Sequence, residues 1–263
     1  MALPDVFVEL RERNAIGWVR RDLADLGLAA FWGPLQPLPF AKGRGGVGCL
    51  GVAGLQLVVR PYQRGGAFGS LLADRYAGPR RARAELAVLE ALRSEGVPVV
   101  TPIAAVARRG RAFWRLRLCT EQLPDALPVP GFLAAFPQLR RHAADAVGTV
   151  VRLAFAAGLR HPDLHPDNLL CSSRGDKVRV VLVDLDRARV KKPLVEGHRD
   201  EMLVRMQRYV IRHRDRLAAV PTRAETMRFL RALGLDRDGR HEAWRRLANK
   251  LAVALRRRGW LRR

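Results

Sequence analysis

Cysteine is scarce in this sequence, and no two cysteines form a Cys-x-x-Cys pair. The three that occur, Cys49, Cys119 and Cys171, are far apart. This spacing argues against a disulfide-stabilised scaffold and against a thiolate zinc site. We therefore expect reduced, buried thiols in a cytosolic protein.

Long apolar runs are also missing. The stretch Val147 to Leu159 is among the most apolar, but it contains Arg152 and is too short to cross a bilayer. The first residues lack a basic segment followed by an apolar one, so we expect no secretory signal. A chain of 263 residues with 48% hydrophobic residues predicts one large domain or two closely packed lobes.

Lysine is also scarce, with five lysines among the 48 basic residues, so the net charge of +23 comes almost entirely from arginine. The excess is concentrated in residues 199–263, which carry 19 Lys and Arg against seven Asp and Glu. Such a field attracts polyanions, including nucleic acid, anionic membrane surfaces and phosphorylated glycolipids. The alternative is that a GC-rich genome encodes arginine wherever a positive charge is tolerated.

The order of apolar patterns predicts an α+β protein with two lobes and a cleft between them. Residues 1–39 are predicted to be an N-terminal helical extension, with a helix over 5–28. Residues 40–119 alternate strands and turns around one helix and are predicted to form the strand-rich N-lobe. Residues 120–263 are mainly helical, carry a basic tail, and begin with a Pro-rich hinge at 120–130.

A catalytic loop is predicted just beyond the hinge. Asp163 follows His161 by two residues and precedes Asn168 by five. The apolar run Val178–Val183 predicts a buried strand that ends at Asp184. Asp163 is suited to accept the proton of an attacking hydroxyl, while Asn168 and Asp184 are hard oxygen ligands for a Mg²⁺ ion on ATP phosphates. This pattern indicates phosphoryl transfer.

Two other interpretations of the residues in this loop and hairpin remain open from the sequence alone. The aspartates could be ordinary turn or cap residues, although the complete set in this order favours catalysis. Alternatively His161, Asp163, His165 and Asp167 alternate like the ligands of a hydrolytic zinc or iron site.

Two upstream elements are candidates for ATP binding. Gly43, Gly45, Gly46 and Gly48 form a glycine-dense segment whose backbone amides could approach phosphate oxygens, although a plain turn explains them too. Arg60 ends the strand predicted over 55–60, and Glu85 lies on the helix predicted over 80–94. A pair between these two would direct the guanidinium onto ATP phosphates.

Together these motifs resemble the lipopolysaccharide kinase family of the protein-kinase-like fold, and most closely its members that phosphorylate 3-deoxy-D-manno-octulosonic acid (Kdo). The resemblance covers roughly residues 40–190 and is most specific in the catalytic loop and the Asp-x-Asp segment. It rests on Gly43-Arg44-Gly45, Arg60-Pro61-Tyr62-Gln63-Arg64-Gly65-Gly66, Arg81-x-x-x-Glu85, Gly96-Val97-Pro98-Val99, His161-Pro162-Asp163-Leu164-x-x-x-Asn168 and Asp184-Leu185-Asp186-Arg187-Ala188-Arg189.

The resemblance implies transfer of the γ-phosphate of ATP, with Mg²⁺, to Kdo on a lipid A precursor. It also implies a peripheral protein at the cytoplasmic side of the inner membrane. Arg60 stands where protein kinases have lysine, and Leu185-Asp186 replaces their Phe-Gly. The alternatives are another kinase of this fold, with a heptose, aminoglycoside-like or protein acceptor, or a nucleic-acid-binding protein without enzymatic activity.

Overall fold

The structure is a computed structural model that describes residues 3–38, 46–63 and 74–256. Its chain contacts define two compact units. The first comprises Met1–Arg93 and Val100–Leu123, and the second comprises Ser94–Val99 and Pro124–Arg263.

The first unit is built on an antiparallel sheet. In the described residues this sheet has seven strands, in the order β1-β2-β6-β7-β5-β4-β3. The strands are β1 (Phe7–Glu12), β2 (Ala15–Arg20), β3 (Gln36–Pro37), β4 (Gly48–Val52), β5 (Leu55–Pro61), β6 (Pro102–Arg109) and β7 (Trp114–Glu121). Helix α1 (Arg80–Ser94) follows β5 and buries Leu86, Leu89 and Leu92, as its apolar spacing predicted.

The helix predicted over residues 5–28 is wrong. Strands β1 and β2 form a hairpin there, with Glu12 opposite Ala15, and two short 3-10 turns follow, Arg21–Leu26 and Leu28–Trp32. The segment is rich in aromatic and β-branched residues such as Trp18 and Val19, which favour strands. Both are buried because β2 pairs with β6 inside the sheet.

The second unit is mainly helical. Its described helices are α2 (Val129–Ala135), α3 (Arg140–Ala156), α4 (Glu196–Arg212), α5 (Arg223–Ala232) and α6 (Arg237–Arg256). Gly148 of α3 packs closely on α5, since an added Cβ would lie 2.6 Å from the Ala232 Cβ. Helix α4 is joined to α6 by buried Asp200, which accepts hydrogen bonds from Arg246 Nε at 3.0 Å and Lys250 Nζ at 2.5 Å.

In the described residues, two small antiparallel sheets position the loops of this unit. Strand β10 (Leu169–Arg174) pairs with β11 (Lys177–Leu182), and β10 also pairs with β8 (Leu127–Pro128). Strand β9 (Leu159–Arg160) pairs with β12 (Arg189–Val190).

The sheet in the first unit and the helices in the second confirm the predicted α+β class. Cys119 and Cys171 are buried and reduced, and burial raises the pKa of each thiol to about 12, whereas Cys49 is half-buried. No helix in the described ranges is long and apolar enough to cross a membrane.

Candidate active site

His161 fixes the predicted catalytic loop. The ring is 3% exposed, and its Nδ1 accepts a hydrogen bond from the backbone N–H of Asp163 at 2.9 Å. Because Nδ1 is an acceptor, the proton lies on Nε2, which donates to the carbonyl oxygen of Asp184 at 2.9 Å. Burial lowers the pKa of His161, so the ring is neutral at pH 7. One neutral imidazole therefore ties Asp163 to Asp184.

The side chain of Asp163 is accessible and lies near two cationic or polar groups. It is 69% exposed, with Oδ1 at 3.6 Å from Arg205 Nη1 and Oδ2 at 3.9 Å from His165 Nε2. The carboxylate can therefore meet an incoming hydroxyl without a rearrangement of the loop.

Asn168 holds the loop from the other side. It is 6% exposed, and its Nδ2 donates to the Asp163 carbonyl oxygen at 3.1 Å. A carbonyl can only accept, so this bond orients the amide of Asn168 and leaves its Oδ1 on the opposite side. The backbone carbonyl of Asn168 also accepts from the Val183 N–H at 3.0 Å, which places the residue before Asp184 beside Asn168.

The donors present fit magnesium. Asn168 Oδ1 and the carboxylate of exposed Asp184 are hard oxygen ligands, and Mg²⁺ commonly binds through one or two such groups plus phosphate oxygens and water. Asp184 follows β11 and Val183 directly along the chain. Its backbone has a left-handed φ of +55°, which a short polar side chain such as aspartate tolerates. The hairpin β10–β11 thus places both side chains at one end of the same ladder.

The alternative hydrolytic metal site does not fit this geometry. Across the described ranges, no group of three or more His, Cys, Asp or Glu side chains is placed to hold a metal ion. Both ring nitrogens of His161 are already engaged in the loop.

Helix α4 contributes side chains to the loop that the sequence interpretation missed. Tyr209 donates its hydroxyl to Asp167 Oδ2 at 2.5 Å, and its ring stacks on His165 with centroids 4.2 Å apart. Burial and the bond to Asp167 raise the pKa of Tyr209, and burial lowers that of His165, so both are neutral. Arg205, one turn earlier, lies beside Asp163. These residues are some 40 positions from the loop, and only their helical spacing could have indicated a shared face.

In the first unit, the structure brings Arg60 and Glu85 together. Arg60 Nη2 lies 2.6 Å from both carboxylate oxygens of Glu85, whose side chain is 1% exposed against 24% for Arg60. Tyr62, which belongs to the motif quoted above but had no predicted role, donates its hydroxyl to Glu85 at 2.5 Å, and the Arg60 guanidinium lies 4.7 Å above the Tyr62 ring. This buried pair holds the guanidinium at the end of β5, and its contact with ATP stays a prediction.

The glycine segment is only partly described. Gly43 and Gly45 lie outside the described residues, whereas Gly46 has a φ of +65° and Gly48 begins β4. An added Cβ at Gly48 would lie 2.6 Å from the Gln36 carbonyl oxygen, so close strand packing already explains this glycine. Gly48 pairs with Val59, which brings the end of the segment beside Arg60 within the sheet.

Comparison with known proteins identifies the family. The sequence profile of the lipopolysaccharide kinase (Kdo/WaaP) family matches residues 35–232, which include the residues of both groups described above. The chain belongs to that family. It is therefore a kinase, a phosphotransferase with an alcohol group as acceptor, and kinase membership implies the use of ATP.

Two relatives of this kinase are named 3-deoxy-D-manno-octulosonic acid kinase. It is 29% identical over 191 residues to the 3-deoxy-D-manno-octulosonic acid kinase of Vibrio parahaemolyticus, over 69% of this chain and 79% of that one. It is 31% identical over 189 residues to the enzyme of that name from Xanthomonas oryzae pv. oryzae, over 70% and 73% of the two chains. The predicted class, a kinase of a lipopolysaccharide inner-core sugar, is confirmed.

A solved structure confirms the fold of the kinase. The structure of WaaP in complex with acyl carrier protein aligns with a TM-score of 0.59, covering 87% of this chain and 89% of WaaP. The aligned residues are 22% identical, so the likeness establishes a common fold. The kinase-like fold expected from the motifs is therefore present.

Proposed function

We propose that this kinase transfers the γ-phosphate of ATP to a hydroxyl of Kdo on a lipid A precursor. The observation that carries the proposal is the hydrogen-bonded loop, in which His161 and Asn168 hold Asp163 next to Asp184. The naming of the relatives supports Kdo as the acceptor sugar.

The roles of the second unit follow from its geometry. Asp163, exposed on the loop, accepts the proton of the attacking hydroxyl. Asn168 and Asp184 would hold Mg²⁺, which, when bound, neutralises charge on the phosphates during transfer. Neutral His161 keeps the loop in place and does not itself exchange a proton with substrate, because both of its nitrogens are engaged.

The roles of the first unit concern ATP. Glu85 and Tyr62 hold Arg60, whose guanidinium contacts phosphate oxygens in place of the usual lysine. The glycine segment, with Gly43, Gly45, Gly46 and Gly48, supplies backbone amides to the same phosphates.

We further propose that the kinase works as a peripheral protein at the cytoplasmic side of the inner membrane. The excess of arginine in residues 199–263 supports attraction to an anionic surface and to the phosphates of the glycolipid.

The decisive experiment is phosphate transfer from labelled ATP to a Kdo-bearing lipid A precursor, with free sugars and generic proteins as competing acceptors. The D163A variant is expected to lose most of its transfer, roughly 10²- to 10⁴-fold, while it still binds ATP. Variant D176N provides a matched control, because Asp176 is an exposed residue at the opposite end of the β10–β11 hairpin. Near-normal activity of D163A would show that another group is the base, and transfer to free sugars alone would show that the acceptor is wrong.

A further inference from the structure

A basic pocket of the second unit has no role in the steps above. Its volume is about 410 Å³, and it lies beside the catalytic loop, with His161 in its wall. Among the described residues that line it are one carboxylate, Glu201, and four arginines: Arg160, Arg187, Arg189 and Arg205. The lining therefore carries a clear positive excess.

Arg160 and Arg189, two of these arginines, lie opposite each other on neighbouring strands, so their positive charges repel. Arg160 and Arg189 are direct partners in the β9–β12 pair. Like charges directly opposite in an antiparallel pair are destabilising. Within the described part of the chain, neither guanidinium has an ion pair or a hydrogen-bonded partner. An anion bound between them would relieve the repulsion.

The backbone beneath the pocket is held in place before any ligand binds. Gly158 has a φ of +81°, and an added Cβ would lie 2.6 Å from the Lys191 carbonyl oxygen. The Lys191 N–H in turn donates to the Gly158 carbonyl at 2.9 Å. On the other side the His161 N–H contacts Met202 Sδ of α4 at 3.3 Å. The arginines at 160 and 189 therefore stand on a fixed ribbon, which favours a binding site over a mobile surface.

The pocket is adjacent to the proposed base. Arg205 lines the pocket, and its Nη1 lies 3.6 Å from Asp163 Oδ1. A ligand that places an anionic group among the arginines can therefore present a neighbouring hydroxyl to Asp163.

We propose that this pocket binds an anionic oxygen group of the acceptor and so orients its hydroxyl toward Asp163. The proposal rests on the proposed function and adds a determinant of acceptor specificity, with Arg160 and Arg189 as binding residues. A guanidinium binds a carboxylate or a phosphate through two parallel hydrogen bonds. The group is thus either the carboxylate of the acidic sugar or a phosphate of the lipid.

The test compares the double variant R160Q/R189Q with the wild type in steady-state transfer to the Kdo-bearing precursor. We expect the acceptor KM to rise roughly tenfold or more, with the ATP KM unchanged, because two charge-assisted contacts are lost. R174Q/R179Q removes the same charge from two exposed arginines of the β10–β11 hairpin, which lie outside the pocket and outside residues 199–263, and is expected to behave like the wild type. R160K/R189K, which keeps charge without the bidentate geometry, should give an intermediate KM.

Modified acceptors identify the anionic group. One acceptor carries the methyl ester of the sugar carboxylate, and another lacks the lipid A phosphates. The modification that removes the bound group should raise the wild-type KM and have little further effect on R160Q/R189Q. If the glutamine pair fails to fold, the single variants R160Q and R189Q are measured, each with an expected rise of roughly severalfold.

An active wild type with the same acceptor KM in R160Q/R189Q would overturn this inference alone. So would equal sensitivity of wild type and variant to both modifications. A wild type that transfers no phosphate to the Kdo-bearing precursor would instead overturn the proposed function, and the pocket assignment with it.

Discussion

The pair formed by Arg60 and Glu85 leads to an asymmetric prediction about stability. Removing one partner of a buried ion pair costs about 3 to 5 kcal/mol, because the other charge stays buried without compensation. In R60M the Glu85 carboxylate, 1% exposed, keeps the hydroxyl of Tyr62 as a donor, and Arg60 itself is 24% exposed. We therefore expect R60M to lower the free energy of unfolding by about 2 to 3 kcal/mol.

The reverse change should cost less. In E85Q the amide still accepts from Tyr62, and the released guanidinium of Arg60 can turn to solvent, so we expect a loss of about 1 kcal/mol. The double variant R60M/E85Q removes both charges of the pair and keeps an acceptor for the Tyr62 hydroxyl, so it should be less destabilised than R60M alone. The measurement is chemical denaturation followed by tryptophan fluorescence, since Trp18, Trp32 and Trp114 all lie in the first unit.

A surface pair of the same unit provides the matched control. Arg11 Nη2 lies 2.6 Å from Glu9 Oε1, as close as Arg60 to Glu85, but the two side chains are 74% and 37% exposed. R11M should therefore cost less than about 1 kcal/mol. If R60M costs no more than R11M, or if R60M/E85Q is less stable than R60M, the argument from burial is refuted.

Two further predictions concern the second unit. G158A should lower the free energy of unfolding by about 2 kcal/mol or more, because alanine is strained at a φ of +81° and its Cβ would contact Lys191. G175A is the control, since Gly175 has a φ of +56° and open space around it, and it should cost only about 1 kcal/mol in the same denaturation assay. Burial lowers the pKa of His161 in the folded protein, so below about pH 6.5 the unfolded chain binds a proton that the folded ring does not. The free energy of unfolding should therefore fall as the pH drops below about 6.5, by at most about 1.4 kcal/mol per pH unit. H161N should show a shallower fall, and an unchanged slope would show that the ring is not the group responsible.

The parts that the sequence predicted well are those with a local physical signal. The helix over residues 80–94 matches Arg80–Ser94, because its leucines repeat at helical spacing and a glycine follows its end. The spacing of His161, Asp163 and Asn168 corresponds to one loop because the two hydrogen bonds that join these three residues span two and five positions.

The parts that the sequence did not predict depend on contacts distant along the chain. The N-terminal hairpin was interpreted as a helix, since its burial arises only when β2 pairs with β6, nearly 90 residues away. The hydrogen bonds of Tyr62 and Tyr209 are not predictable from the sequence for a related reason: each hydroxyl donates to a carboxylate, Glu85 or Asp167, that folding alone brings within reach.

The buried carboxylate of Asp200 has a consequence for how the C-terminal arginines can vary. It sits on α4 two residues before Met202, which contacts the catalytic loop, and its countercharges come from Arg246 and Lys250 of α6. Neutral replacements at these two positions would leave the Asp200 carboxylate buried without a countercharge, in the helix that supports the loop. Exposed arginines of the same region, such as Arg214 and Arg216, balance no buried carboxylate, so neutral replacements there should leave the fold of this unit stable, whereas the two cations on α6 are required for it.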